Sequence, residues 1–149
     1  NMSKQSAMSK QVLDVEQMMH LKELGVDTSK ASAKEYIISE TENYCGYSRN
    51  IVVIDGYIEN FIEQRKAFTL DDVLSLLPDC IDKEEAKLNV GKKSVSYEKM
   101  VGYSYDGDLI LFHNDILLEA AYEMLCWCAE NGYLNHRQYD EQTSKEADR

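Results

Sequence analysis

Two pairs of strand-like segments, each joined by a short turn, constrain the fold of this chain more than any other feature. Residues 35–44 (EYIISETENY) and 50–58 (NIVVIDGYI) are rich in β-branched and aromatic residues, and only 45–49 separate them. Residues 93–113 contain a second such pair. Because short turns join the members of each pair, we expect antiparallel pairing without helical crossovers. With helical segments before, between and after the pairs, the sequence predicts an α+β domain in the order α-ββ-α-ββ-α, an antiparallel sheet of hairpins packed against helices.

The second strand pair carries the stronger turn signal. Asp106-Gly107 is a favoured pair for a two-residue type I′ turn. The face that this turn directs toward the core carries Val101, Tyr103, Ile110 and Phe112. The opposite face carries Leu109 and Leu111 and is too apolar for full solvation. A helix or another molecule should therefore cover it, and a homodimer is one alternative.

Three helices are expected, in residues 9–24, 67–78 and 115–131. In the second of these, Thr69 is the expected N-cap and two acids follow in the first turn, where the helix dipole favours them. Pro78 ends that helix because it excludes helical geometry at the preceding residue. Ser9 and Gly25 are the expected caps of the first helix.

The chain is expected to form one domain over residues 9–134. Residues 1–8 are expected to be disordered or derived from cloning, and 135–149 to be a polar tail. The sequence has no signal-peptide pattern and no apolar run long enough for a membrane span, so a cytoplasmic location is expected.

The charge balance excludes several classes of partner. The chain has 27 acidic and 16 basic residues and a formal net charge of −11. Direct binding to nucleic acid or to an anionic membrane needs basic residues, so neither is expected. A basic protein partner fits this charge, and so does the simpler explanation that acidic chains stay soluble.

Cys126 and Cys128 bracket the only tryptophan and raise the question of a metal or redox site. At about 100° per helical residue, the two thiols lie about 200° apart on the last helix. They can neither share a metal ion nor form a disulfide with each other. Cys128 lies in the apolar stripe of this helix and is a predicted core residue, and no metal or other cofactor is expected.

The last helix also carries its acids on one side and contains no lysine or arginine. At about 100° per residue the acids span about 80° of the helix surface. This acidic ridge consists of Asp115, Glu119, Glu123 and Glu130. It is either a binding surface for a basic partner or a solvent face whose counter-charges lie on neighbouring segments.

Motifs of catalysis are absent from the sequence. No glycine-rich phosphate loop, zinc-protease motif or nucleophile elbow is present, and the three histidines lie in unrelated segments. The pair Asp71-Asp72 is explained by its place in the first turn of a helix. An enzyme is therefore not indicated.

Three stretches resemble small proteins of gut Bacteroidales and of the phages and mobile elements that these bacteria carry. The stretches are HLKELGVDTSKAS (20–32), AFTLDDVLSLLP (67–78) and LLEAAYEMLCWCAENGYL (117–134). No activity is established for that group, so the resemblance assigns no residue a role. It implies a bacterial cytoplasmic setting and a role connected with mobile elements.

Together these features predict a non-catalytic protein-binding or accessory module. The alternative is a small-ligand-binding protein or enzyme with a pocket between sheet and helices. The tyrosines expected to line such a pocket are Tyr36, Tyr57, Tyr97 and Tyr103. A third alternative is a DNA mimic, in which spaced acids imitate phosphates.

Overall fold

The computed structural model describes residues 10–40, 47–83 and 85–134. Within them the elements are α1 (Val15–Glu23), β1 (Ala33–Glu40), β2 (Tyr47–Ile54), β3 (Glu63–Ala67), α2 (Leu70–Leu76), β4 (Cys80–Ile81), β5 (Ala86–Val90), β6 (Ser94–Val101), β7 (Ser104–His113) and α3 (Leu117–Glu130). The α+β prediction is confirmed, with two antiparallel sheets instead of one. The predicted order lacked β3, β4 and β5.

The first sheet has the strand order β2-β1-β3. The predicted pairing of β1 with β2 is present, and β3 adds to the other side of β1. Its sequence, EQRKA, has none of the β-branched residues that mark a strand. A cross-strand ion pair at the register position Glu35↔Arg65, with Nε 2.7 Å from the carboxylate, helps to hold it.

The second sheet has the order β4-β5-β6-β7, and α3 packs across β6 and β7 while also contacting α2. Val95 and Tyr97 of β6 are fully buried here, together with Leu125 and Cys128 of α3. The Tyr97 hydroxyl donates to the Pro78 carbonyl oxygen at 2.7 Å, which joins the sheet to the end of α2. The main hydrophobic core therefore lies between this sheet and the helices.

The hairpin turn of the second sheet is not at Asp106-Gly107. It is at Gly102-Tyr103, and Gly102 has φ +63°, as a glycine-first type II′ turn requires at that position. With this turn, β6 pairs with β5 on one side and with β7 on the other. In the β6–β7 pairing, Val95 lies opposite Phe112 and Tyr97 lies opposite Ile110. Gly107 instead lies within β7, beside the irregular pairing opposite residues 98–100, where its φ of +101° suits a bulge.

The shifted turn changes which residues are buried. Ile110 and Phe112 pack against the main core, as expected. Val101 and Tyr103 were predicted to face the core but are exposed, because both lie at the end of the hairpin, beyond the last pairing of β6 with β5 at Lys99.

The helix ends follow local capping chemistry. Thr69 caps α2 and Leu77 leaves the helical region before Pro78, both as predicted. Helix α1 begins later than expected, because Asp14 and Gln17 form a capping box there; Ser9 lies outside the described residues. Gly25 has φ +91° directly after the C-cap of α1, as expected. None of the helices in the described part of the chain is long and apolar enough to cross a membrane.

Asp72 connects α2 to the first sheet. Its Oδ2 accepts hydrogen bonds from the Ser32 backbone N–H at 3.0 Å, the Ser32 hydroxyl at 2.8 Å and the Thr69 N–H at 2.9 Å. Ser32 directly precedes β1, so one carboxylate caps a helix and positions the start of a strand in a different layer. Asp71 and Asp72 both lie in the first turn of α2, as expected. Asp72 has a second role, because its hydrogen bonds with Ser32 join the helix to the first sheet.

Candidate interaction surface

Among the residues that the structure describes, the most exposed aromatic side chain lies at the end of the second hairpin. We call residues 101–105 the hairpin tip. Tyr103 is 104% exposed relative to a free residue, and Val101 and Tyr105 are 66% and 57% exposed. Gly102 allows the chain to reverse at this point, which directs the β6–β7 hairpin beyond the sheet. Three large side chains within five residues thus face solvent at one projecting end.

Acidic residues flank the hairpin tip on both strands. Glu98 of β6 lies directly opposite Asp108 of β7, and Asp106 is exposed beside them. Like charges in directly opposite positions disfavour pairing, so this arrangement has an energetic cost. Lys87 lies opposite Glu98 on the β5 side, without an ion pair between them among the described contacts. The tip is therefore apolar at its end, and beside it three acids outnumber two lysines, Lys87 and Lys99.

The pKa of Tyr105 is affected by two of these acids. A hydrogen bond with Asp108 is the main cause that raises the pKa of the Tyr105 hydroxyl above its ordinary value, and the charge of Glu98 acts in the same direction. Both effects have the same cause, because a phenolate would be a further negative charge beside two carboxylates.

The four tyrosines predicted to line a pocket do not converge. Tyr36 is fully buried in the first sheet, where its ring lies 5.0 Å from that of Phe61. Tyr97 is fully buried in the second sheet, whereas Tyr57 and Tyr103 are exposed. The prediction of a tyrosine-lined pocket between sheet and helices is wrong, because the space beneath β6 is filled by the main core.

The two leucines assigned to the outer face of the hairpin have different surroundings. Leu109 packs against the main core, since the irregular pairing near residues 97–98 moves it out of simple alternation. Leu111 lies opposite the small Ser96 and stays about half exposed. Only Leu111 therefore presents apolar surface on that face.

Half of the acidic ridge has internal counter-charges. Glu119 forms an ion pair with Lys10 and accepts a hydrogen bond from the Gln17 side chain at 2.8 Å. Asp115 lies 3.4 Å from the Lys93 ammonium group. Glu123 and Glu130 are exposed, and no ion pair is described for either of them within residues 10–40, 47–83 and 85–134. The interpretation of a solvent face with neighbouring counter-charges thus applies to Asp115 and Glu119.

The thiols of the last helix are structural. Cys128 is fully buried, as predicted, and burial raises its pKa to about 11, although contact with the Tyr97 hydroxyl opposes the shift. Cys126 is also buried, and burial likewise raises its pKa while a hydrogen bond with Tyr122 lowers it. A thiol with a raised pKa is a poor nucleophile and a poor metal ligand. The described residues contain no group of three or more potential metal ligands close enough to hold an ion.

The histidines offer no catalytic arrangement in the described part of the chain. His20 is exposed with a ring nitrogen 3.9 Å from Glu23, and His113 is exposed at the end of β7. His136 lies outside the described residues.

A cleft that the sequence interpretation missed runs along α1. Its volume is about 560 Å³, and one wall is formed by Val15, Met18, Met19 and Lys22 of the helix. The other walls come from the turn after α1 and from Arg65 and Lys66 of β3. The helical spacing of those four residues, at i, i+3, i+4 and i+7, was the available signal for a common face.

No family model, no curated protein and no solved structure matches this chain, so the site is interpreted from its own geometry.

Proposed function

We propose that this chain is a non-catalytic protein-binding module and that the hairpin tip is its main contact surface. The observation that carries the proposal is the full exposure of Tyr103 between two further exposed large side chains, Val101 and Tyr105. Tyrosine supplies a large contact area at low conformational entropy cost and is enriched among the residues that dominate binding energy. An exposed cluster of this kind is typical of an interaction site.

The charges around the tip favour a basic partner. Glu98, Asp106 and Asp108 surround the apolar end on a chain whose net charge is −11. A partner with an apolar pocket bordered by lysine or arginine would match both features and would be attracted at long range. The cost of placing Glu98 opposite Asp108 would then be offset in the complex.

The first experiment is affinity capture with three forms of the protein, followed by titration of each captured protein. Tyr103→Ser removes the central side chain, and Tyr57→Ser, at a position 72% exposed on a different part of the surface, is the matched control. Because a central tyrosine contributes about 2 kcal/mol, Tyr103→Ser should weaken binding about 30-fold, and Tyr57→Ser should leave it unchanged. Equal affinity of Tyr103→Ser and the unmodified protein for every partner would refute the proposal.

The acidic ridge supplies a separate test of where the partner binds. Charge reversal at Glu119 would break an internal ion pair, so Glu123→Lys and Glu130→Lys are the informative variants. If the ridge also contacts the partner, both should slow association, with an effect that decreases at high salt. A DNA-binding protein captured through the ridge and lost at high salt would favour the DNA-mimic alternative.

A cytoplasmic location and a role on a bacterial mobile element are further parts of this proposal. They are supported by the sequence resemblance. Small-ligand binding is a second candidate function, favoured by the cleft along α1 and not by the tyrosines.

A further inference from the structure

The cleft along α1 combines an apolar surface with basic side chains. Met18 and Val26 are buried and form its apolar base, and Met18 is held in place because its sulfur accepts a hydrogen bond from the Phe68 N–H at 3.4 Å. Val15 and Met19 border the cleft and are each more than half exposed. Two exposed apolar residues beside a preformed apolar base have a hydration cost that a ligand would remove.

The charged residues of the cleft have the opposite sign from the chain as a whole. Lys22, Arg65 and Lys66 border it together with one acid, Asp27. With Glu35, which pairs with Arg65, included, basic residues still exceed acidic ones, on a chain whose net charge is −11. A locally positive cleft on a strongly acidic protein attracts an anion.

The basic wall is held in position by hydrogen bonds. Arg65 donates to Glu35 at 2.7 Å and to the Leu13 carbonyl oxygen at 3.0 Å, while its Nη1 is buried without an acceptor among the described residues. Lys66 donates to the Ser29 carbonyl oxygen at 3.0 Å, which leaves two ammonium protons for other acceptors. Arg65 and Lys66 thus line the cleft with two basic groups whose positions are fixed by these hydrogen bonds.

Asp27 is the one acid that lines the cleft, and its charge offsets one of the three basic charges. Its carboxylate accepts the Ser29 N–H at 2.9 Å, and hydrogen bonds with Ser29 are the main reason that its pKa is lowered. The acid thus shapes the turn that carries the Lys66 acceptor.

We propose that the cleft binds a single-chain anionic amphiphile, with the head group between Lys22 and Lys66 and the alkyl chain against Met18 and Met19. Its volume of about 560 Å³ lies in the range of small-molecule sites. Methionine suits an alkyl chain because its flexible side chain adapts to the shape of the ligand. The proposal does not depend on the hairpin tip, which belongs to the second sheet.

The test uses the full chain with ¹³C-labelled methionine methyl groups, titrated with octanoate and octyl phosphate in separate NMR experiments. Methyl signals of Met18 and Met19 should shift with saturation, whereas those of Met100 in β6 and Met124 in α3 should stay in place. Hexanoate should bind about tenfold more weakly than octanoate, since it buries two fewer methylene groups. A preference for either octyl anion supports the proposal and identifies the head group.

Two variants and one control separate the contributions of charge and of the apolar surface. Lys22→Gln should weaken octanoate binding about two- to fivefold, as expected for an exposed ion pair, while Lys99→Gln on β6 should have no effect. Met19→Gln should weaken it about tenfold by removing apolar contact. Both altered residues are exposed, so circular dichroism should show an unchanged fold.

The neutral and cationic analogues decide the outcome. Octanol and octyltrimethylammonium should bind much more weakly than octanoate. Equal affinity for all three, shifts of Met100 and Met124 of similar size, or no saturable shift of Met18 and Met19 would each overturn the proposal. Because the readout is local, these outcomes are independent of whether a protein partner binds the hairpin tip.

Discussion

Replacing Asp72 by alanine should destabilise the protein far more than replacing its neighbour Asp71. Asp72 Oδ2 accepts three hydrogen bonds, two from Ser32 and one from Thr69. A hydrogen bond to a charged group contributes about 1.5–3 kcal/mol, but water can replace part of this at a half-buried site. We therefore expect a loss of about 2–4 kcal/mol in the free energy of unfolding, which is less than the sum of three separate bonds.

The assay is urea unfolding followed by circular dichroism. With an m-value of about 2 kcal/mol/M, the midpoint of Asp72→Ala should fall by about 1–2 M. Asp71→Ala is the matched control, because Asp71 is exposed in the same helical turn and contributes through the helix dipole, about 0.3–1 kcal/mol.

The effect should also depend on pH. Burial raises the pKa of Asp72, but hydrogen bonds from Ser32 and Thr69 outweigh it, so the pKa is lower in the folded protein than in the unfolded chain. A depressed carboxyl pKa contributes stability that is present above the unfolded value of about 3.9 and is lost as pH falls through the folded value. The difference between the unmodified protein and Asp72→Asn should therefore shrink in acid. Equal costs for Asp71→Ala and Asp72→Ala at neutral pH would refute the reasoning.

Three further predictions concern the second sheet. Tyr97→Phe should lower the free energy of unfolding by about 1–3 kcal/mol in thermal or urea unfolding, because the buried Pro78 carbonyl oxygen loses its hydroxyl donor. A smaller loss would show that this carbonyl oxygen finds another donor. Cys128 is buried and its pKa is raised to about 11, so it should resist alkylation at pH 8 in the folded protein. The partly exposed Cys80 should be alkylated before Cys128, which peptide mass spectrometry would show. If the exposed side of β7 forms a homodimer, Leu111→Lys should convert a mass of about twice 17.1 kDa in light scattering to that of the monomer; a monomeric mass for the unmodified protein would exclude it.

Local signals predicted the elements whose ends depend on neighbouring residues. The limits of α2 followed from Thr69 and Pro78 because capping and proline geometry act within a few residues. A local contact also marks the end of α3, where the Tyr133 ring lies 5.3 Å from that of Trp127.

The second hairpin shows why other features could not be predicted in the same way. Both Gly102 and Gly107 allow a reversal, and the stronger local signal at Asp106-Gly107 did not decide between them. The pairing of β6 with β5 and the burial of Tyr97 did, and both depend on residues far away in sequence. Similarly, β3 is held by pairing with β1 and not by its own composition.

The candidate surfaces also combine features set by neighbouring residues with features set by residues distant in sequence. Three acids of the ridge, Glu119, Glu123 and Glu130, lie on α3 as predicted, but Asp115 precedes the N-cap Ile116 and was wrongly assigned to the helix. The pairing of Glu119 with Lys10 and of Asp115 with Lys93 required the tertiary structure. The helical face of Val15, Met18, Met19 and Lys22 was present in the sequence, yet the opposing wall from β3 was not, because β3 itself was not predicted.

The separation of the hairpin tip from the core has a consequence for how this protein can evolve. Residues that pack in the core are constrained by stability, whereas exposed residues outside it can usually change within about 0.5 kcal/mol. Val101, Tyr103 and Tyr105 belong to the second group, so substitutions there should leave the stability of the fold unchanged; if the tip is the contact surface proposed above, they would alter the choice of partner. Under the proposed function, selection by a changing partner can act on these three side chains alone, and divergence among related chains should be concentrated there while the turn retains Gly102.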